Sequence, residues 1–195
     1  MFFHPKINLP MVSFKWFIIG ILAWLTLSAC DETDSPLNDL AHEEAVLSLS
    51  EEEKMSLLFL REEEKLARDI YRALGEHFEH NTFLNIQQSE QEHMDQVKAL
   101  LDQYEIPDPV AETGDIRGIF VDSDLQTLHD TLLARGLVSL EEALRVGVLI
   151  EETDIADLQK GMQVAENPDF IDLYDRLLRG SENHLRAFQD ALERL

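Results

Sequence analysis

Ser89-Glu90-Gln91-Glu92-His93 lies within a run, Asn85 to Tyr104, whose apolar residues recur at helical spacing. Ile86, Val97, Leu100 and Tyr104 share one stripe of that helix with Glu90 and His93. A carboxylate and an imidazole three positions apart point the same way, about one turn apart. On an inward stripe such a pair is costly to bury unless it binds something. The reading of the chain therefore turns on whether other helices supply matching groups.

They do. A first helix is expected from Ser50, with Glu53 in the capping-box place, to about Phe78. Its stripe is Leu57, Leu60, Glu64, Ala67, Tyr71, Leu74 and Phe78. Glu64 sits at the centre of that stripe, whereas Glu62 and Glu63 are read as solvated, and His77 and His80 as surface or helix-end residues. The second helix is expected from Thr82, as its cap, to Tyr104. Ile106-Pro107-Asp108-Pro109 stops it. Residues 105–122, with Gly114 and Gly118, form a long connection that lets the second and third long helices run parallel, and a shorter helix, Leu125 to Ala134, follows.

The third long helix starts at Ser139 and carries Leu140, Leu144, Gly147, Glu151, Ile155, Leu158 and Met162 on one stripe. Glu151 is its inward acid, and Asp154, one turn on, is a second choice. Gly147 weakens the helix relative to Ala, which implies that space is needed there. The fourth starts with Asn167 as cap and Pro168 at the first helical position. Its stripe brings His184 inward with Leu177, Ser181 and Phe188, and Gly180-Ser181 suggests a local bulge. The expected class is all-α: a four-helix domain over residues 49–195.

Glu64, Glu90 with His93, Glu151 and His184 thus occupy the apolar stripes of four helices. Bringing three carboxylates together without a cation costs several kcal/mol in repulsion and desolvation. Carboxylate and imidazole ligands suit Fe or Mn better than a closed structural zinc site.

The segment Glu64-Lys65-Leu66-Ala67-Arg68-Asp69-Ile70-Tyr71 resembles the first metal helix of rubrerythrin-like members of the ferritin-like superfamily, and Glu90-x-x-His93 resembles their second. The runs REEEKLARDIY, SEQEHMDQVKALLDQY, VGVLIEETDI and GSENHLRAF also resemble the DUF2202 family, over about residues 52–192. The resemblance implies a ferritin-like four-helix bundle with a di-metal centre, two iron ions or manganese, held by Glu64, Glu90, His93, Glu151 and His184. One departure stands out: Ser181 occupies the place where the superfamily repeats an acid three residues before the last histidine. Asp154 or, through a bulge at Gly180, Glu182 would fill that gap; otherwise the site is asymmetric or holds one metal. Tyr71 and Ser181 are expected just outside the ligands.

The first thirty residues read differently. Phe14 to Leu27 is an apolar run too short for a span, following His4 and Lys6, as in an export signal. It ends in Leu27-Ser28-Ala29-Cys30, which resembles the bacterial lipoprotein box. Residues 1–29 are then a cleaved signal, Cys30 the lipidated first residue of the mature chain, and 30–48 an acidic tether. Asp31 resembles the Gram-negative signal for retention at the periplasmic face of the inner membrane. Cys30 is the sole cysteine, so neither an intrachain disulfide nor rubredoxin-like cysteine pairs exist, and a reductant would come from an unknown electron donor. A formal charge of −23 argues against nucleic acid as a partner. The expected function is a membrane-anchored di-iron protein handling peroxide, O2 or iron, as a peroxidase or ferroxidase; a homodimer is compatible with it. The rival is a non-enzymatic helical lipoprotein acting as a metal-binding or interaction module of the envelope.

Overall fold

The computed structural model describes residues 48–195; the leader, Cys30 and the tether up to residue 47 lie outside the described residues. Six helices and no strand occur among the described residues: α1 Glu51–Phe78, α2 Asn81–Gln103, α3 Pro109–Glu112, α4 Ser123–Gly136, α5 Leu140–Val164 and α6 Pro168–Glu193.

The caps explain most of the boundaries. Ser50 Oγ accepts from the Glu53 N–H at 3.1 Å, and the Glu53 carboxylate accepts from the Ser50 N–H at 2.8 Å. The other Glu53 oxygen accepts from the N–H groups of Glu166 and Asn167, each at 2.9 Å, so the cap of α1 also fastens the α5–α6 turn. Ser139 caps α5 through the Glu142 N–H at 3.1 Å, while the Glu142 carboxylate takes Arg135 at 2.8 Å instead of closing a box. Asn167 caps α6, with Pro168 next.

Two expectations are corrected. Thr82 does not cap α2: Glu79 closes α1 in the left-handed region, φ 50°, and the chain re-enters a helix at Asn81, with His80 at the cap position. Nor is there a bulge at Gly180-Ser181. α6 is regular throughout, and Ser181 Oγ donates to the Leu177 carbonyl at 3.0 Å within the same helix. Gly180 serves a different purpose, since a Cβ there would collide with the His93 ring.

α1 packs on α2, α5 on α6, α2 on α6 and α1 on α5. The direction of each pair follows from cross-helix contacts. Glu53 meets Asn167 and Tyr71 meets Glu151, so α1 and α5 are antiparallel. Ser89 meets His184 and Tyr104 meets Asp169, so α2 and α6 are antiparallel. The two-residue turn makes α1 and α2 antiparallel as well, which leaves α2 and α5 parallel, as the crossover requires.

The crossover is clamped to α1 by charge. Arg61 donates to both Asp108 oxygens at 3.0 Å and to the Met94 carbonyl at 2.9 Å. Lys65, fully buried, donates to Asp69 at 2.6 Å and to the Ile116 carbonyl at 2.9 Å. Arg68 joins Asp69, Gln91 and Asp115. Glu62, expected in solvent, is buried and accepts from the N–H groups of Val121 and Asp122 at 2.6 and 2.9 Å, ahead of α4. The crossover covers the outer face of α1, so that helix is buried on all sides through its middle.

The apolar core falls into two clusters. One gathers Ile70, Tyr71, Leu74, Phe83, Ile86, Leu144 and Phe188. The other gathers Leu57, Leu60, Val97, Leu101, Leu158, Phe170 and Leu177. Between them, at mid-height of all four long helices, the buried residues are charged.

Candidate metal centre

That polar layer holds Glu63 and Glu64 of α1, Glu90 and His93 of α2, Glu151 and Asp154 of α5, and Ser181 and His184 of α6, all buried. Glu90 lies between the two imidazoles. Its Oε2 is 2.8 Å from His93 Nδ1 and its Oε1 is 2.9 Å from His184 Nδ1. His93 Nδ1 is also 3.2 Å from Glu64 Oε2, and His184 Nδ1 is 3.6 Å from Glu151 Oε2. Glu90, His93 and His184 can each offer one ligand atom within 4.8 Å of the others, a group that could bind a metal ion.

Surrounding groups set the orientation. Ser89 Oγ is 2.9 Å from His184 Nε2, which turns Nδ1 of that ring inward. The Tyr71 hydroxyl donates to Glu151 Oε1 at 2.6 Å. Gly147 gives room to Phe188, whose ring would be 2.7 Å from a Cβ there.

Several buried atoms of this layer have no hydrogen bond: Glu63 Oε2, Glu64 Oε1, Glu90 Oε1, Asp154 Oδ1 and His184 Nδ1. Glu90 Oε1 and His184 Nδ1 are close, but not aligned as donor and acceptor. Leaving such groups unpaired is expensive in a closed interior. A cavity of about 10 Å³ opens among Glu63, Glu64, Ala67, Glu90, Ile150, Glu151 and Asp154. That is the room of about one water-sized sphere.

The electrostatics have one theme. Burial pushes the carboxyls of Glu63, Glu64 and Asp154 up, and that of Glu151 to about 8. For Glu90, burial is outweighed by His184 and His93, which hold its carboxyl far below the usual range. Burial likewise works against charge on the imidazoles. Glu64 and Glu90 nevertheless lift His93 to about 12, and Glu90 and Glu151 lift His184 to about 10. The two imidazoles thus face five carboxyl groups, from Glu63, Glu64, Glu90, Glu151 and Asp154. Metal ions bound in this layer would compete with protons for these groups.

The structure brings Glu64, Glu90, His93, Glu151 and His184 into one layer, together with Asp154. Glu182 is not brought in: it is half-buried, does not line the cavity, and no bulge turns it inward. Glu63, read as solvated, is a cavity residue. It lies about 100° from the stripe centre and faces Glu151 and Asp157 of α5. His77 is exposed and His80 lies at the start of α2, both outside the layer.

Residues 53–195 match the model of the DUF2202 family, described as an uncharacterized protein domain. The chain is 47% identical over 140 residues to the uncharacterized protein MJ0754 of Methanocaldococcus jannaschii, covering 72% of this chain and 75% of that one. A crystal structure of hypothetical protein MJ0754 superposes with a TM-score of 0.73 at 46% identity, over 75% of this chain and 82% of that one. A crystal structure of a DUF305 fragment from Deinococcus radiodurans matches with a TM-score of 0.58 at 17% identity, over 76% and 99%, a likeness of fold alone.

Proposed function

The chain belongs to the DUF2202 family, and from that premise we propose that it is a ferritin-like di-metal carboxylate protein, with iron, or manganese, as its metal and peroxide, O2 or iron itself as its substrate. One observation carries the reading: unbonded, fully buried ligand atoms from four helices converge where the apolar core is interrupted. The donor set, carboxylates with two imidazoles, fits a borderline divalent metal.

Glu90 touches both imidazoles and would hold metal together with them. Glu64, beside His93, and Glu151, beside His184, would supply further carboxylate ligands. Bound iron would supply one-electron chemistry toward O2 or peroxide. The apolar clusters on either side keep bulk water out, and Tyr71 and Ser89 hold Glu151 and His184 in place. The lipoprotein box at Cys30 supports a location at the membrane surface of the envelope. Among the described residues no helix is long and apolar enough to cross a membrane.

Ser181, standing where the superfamily has an acid, favours a second reading, a module that binds metal without turnover. Rapid mixing decides between them. The full chain, loaded anaerobically with Fe(II), is mixed with hydrogen peroxide or O2 and Fe(II) oxidation is followed optically. The proposal expects oxidation at least about tenfold faster than for free Fe(II), lost in Glu90→Ala. Loaded protein that oxidises no faster than the free ion would remove the redox function and leave the binding module.

A further inference from the structure

Two features of the metal layer are not used by the imidazole-bearing ligands. The cavity is lined by Glu63, Glu64, Glu90, Glu151 and Asp154, yet by neither histidine. Glu63 Oε2 and Asp154 Oδ1 are fully buried, without a hydrogen bond, and both residues open on that cavity. Both imidazoles gather instead around Glu90. The layer therefore has two chemically different halves.

We propose that Glu63 and Asp154, with the unbonded oxygen of Glu64, form an all-oxygen cation position that takes a hard divalent ion and is distinct from the position served by His93 and His184. This rests on the di-metal reading and changes its ligands. The second ion is held by residues of α1 and α5, and needs no acid from α6.

The chemistry is that of the hard cations. Carboxylate oxygens alone suit Mn2+ or Mg2+, whereas an imidazole favours iron and the later transition metals. Asp154 answers for the missing acid of α6, because it stands beside Ser181, the residue at that place. Glu63 lies near Glu64, Glu151 and Asp157, so a cation held there would be surrounded by acidic side chains.

The test is Mn2+ binding to the full chain, with free Mn2+ read by electron paramagnetic resonance and thermal melts as a control of folding. Wild type is expected to bind about two Mn2+ per chain, and the isosteric double variant Glu63→Gln/Asp154→Asn about one. His184→Asn is expected to keep the ion that the double variant loses. Excess Mg2+ should displace about one Mn2+ from wild type and none from the double variant. A double variant that melts no lower than wild type without metal excludes unfolding as the cause. If it still binds two ions, Glu63 and Asp154 are not ligands and the di-metal reading survives without them. If wild type binds none, the reading beneath the proposal falls. If wild type binds one, its loss in the double variant supports the carboxylate position and its retention overturns it.

Discussion

Gly180 shows how closely the buried polar layer is fitted, since the space a Cβ would need is taken by the His93 ring. Gly180→Ala should push that ring off Glu90 and lower stability by about 1–3 kcal/mol. It should also weaken metal retention. Urea denaturation and metal analysis check both; an alanine variant equal to wild type in both would mean that His93 is free to move. Tyr71→Phe removes a hydrogen bond to Glu151 in a closed interior. The expected loss is about 1–2 kcal/mol, read in the same titration, and no loss would mean the bond is not formed in solution. At this scale most of the site was legible in the sequence. Glu64, Glu90, His93, Glu151 and His184 each interrupt an apolar stripe, and a stripe tells which face is inward. Glu62 was not legible, because its burial depends on the crossover lying over the outer face of α1, and Glu63 was not, because it turns toward α5 from the edge of the stripe. Nor was the true role of Gly180, a contact between helices distant in sequence.

The helix boundaries that could be read were those with a side-chain signature: Ser50, Ser139 and Asn167 all cap as their sequences imply. α2 has no side-chain cap, so its start depended on the left-handed Glu79 and could not be read locally. Glu53 does the most work of any cap, because one carboxylate accepts from Ser50, Glu166 and Asn167. Burial opposes its ionisation, but the N–H groups of Asn167, Ser50 and Glu166 outweigh burial and hold its carboxyl below the ordinary value. A carboxyl whose folded value is depressed stabilises the fold above its unfolded value, about 4.3, and that stability is lost as pH falls through the folded value. Glu53→Gln should cost about 1–3 kcal/mol at neutral pH and reduce the loss of stability below about pH 4. Urea denaturation across that range measures it. An unchanged pH profile would show that the three N–H groups do not distinguish carboxylate from amide.

For the whole molecule, all-helical architecture was readable because helical periodicity runs through almost the entire chain, and the parallel arrangement of α2 and α5 followed from a proline-blocked crossover. The surface is strongly acidic, at −23 for the chain, so association with a membrane would rest on the lipid at Cys30 and not on charge. Cys30→Ser is expected to move the protein out of the membrane fraction in cell fractionation; a variant that stays with the membrane would point to another anchor. The two apolar clusters are joined through a layer of buried charge, which is costly to the fold unless cations are bound there. The central claim is therefore metal binding in that layer, and its most direct test is metal content. The full chain is reconstituted anaerobically with Fe(II), desalted and analysed beside Glu90→Ala and His184→Ala. About two ions per wild-type chain, reduced in both variants with helicity retained, is the predicted result. No retained metal in wild type, with both variants as stable as the parent, would contradict it.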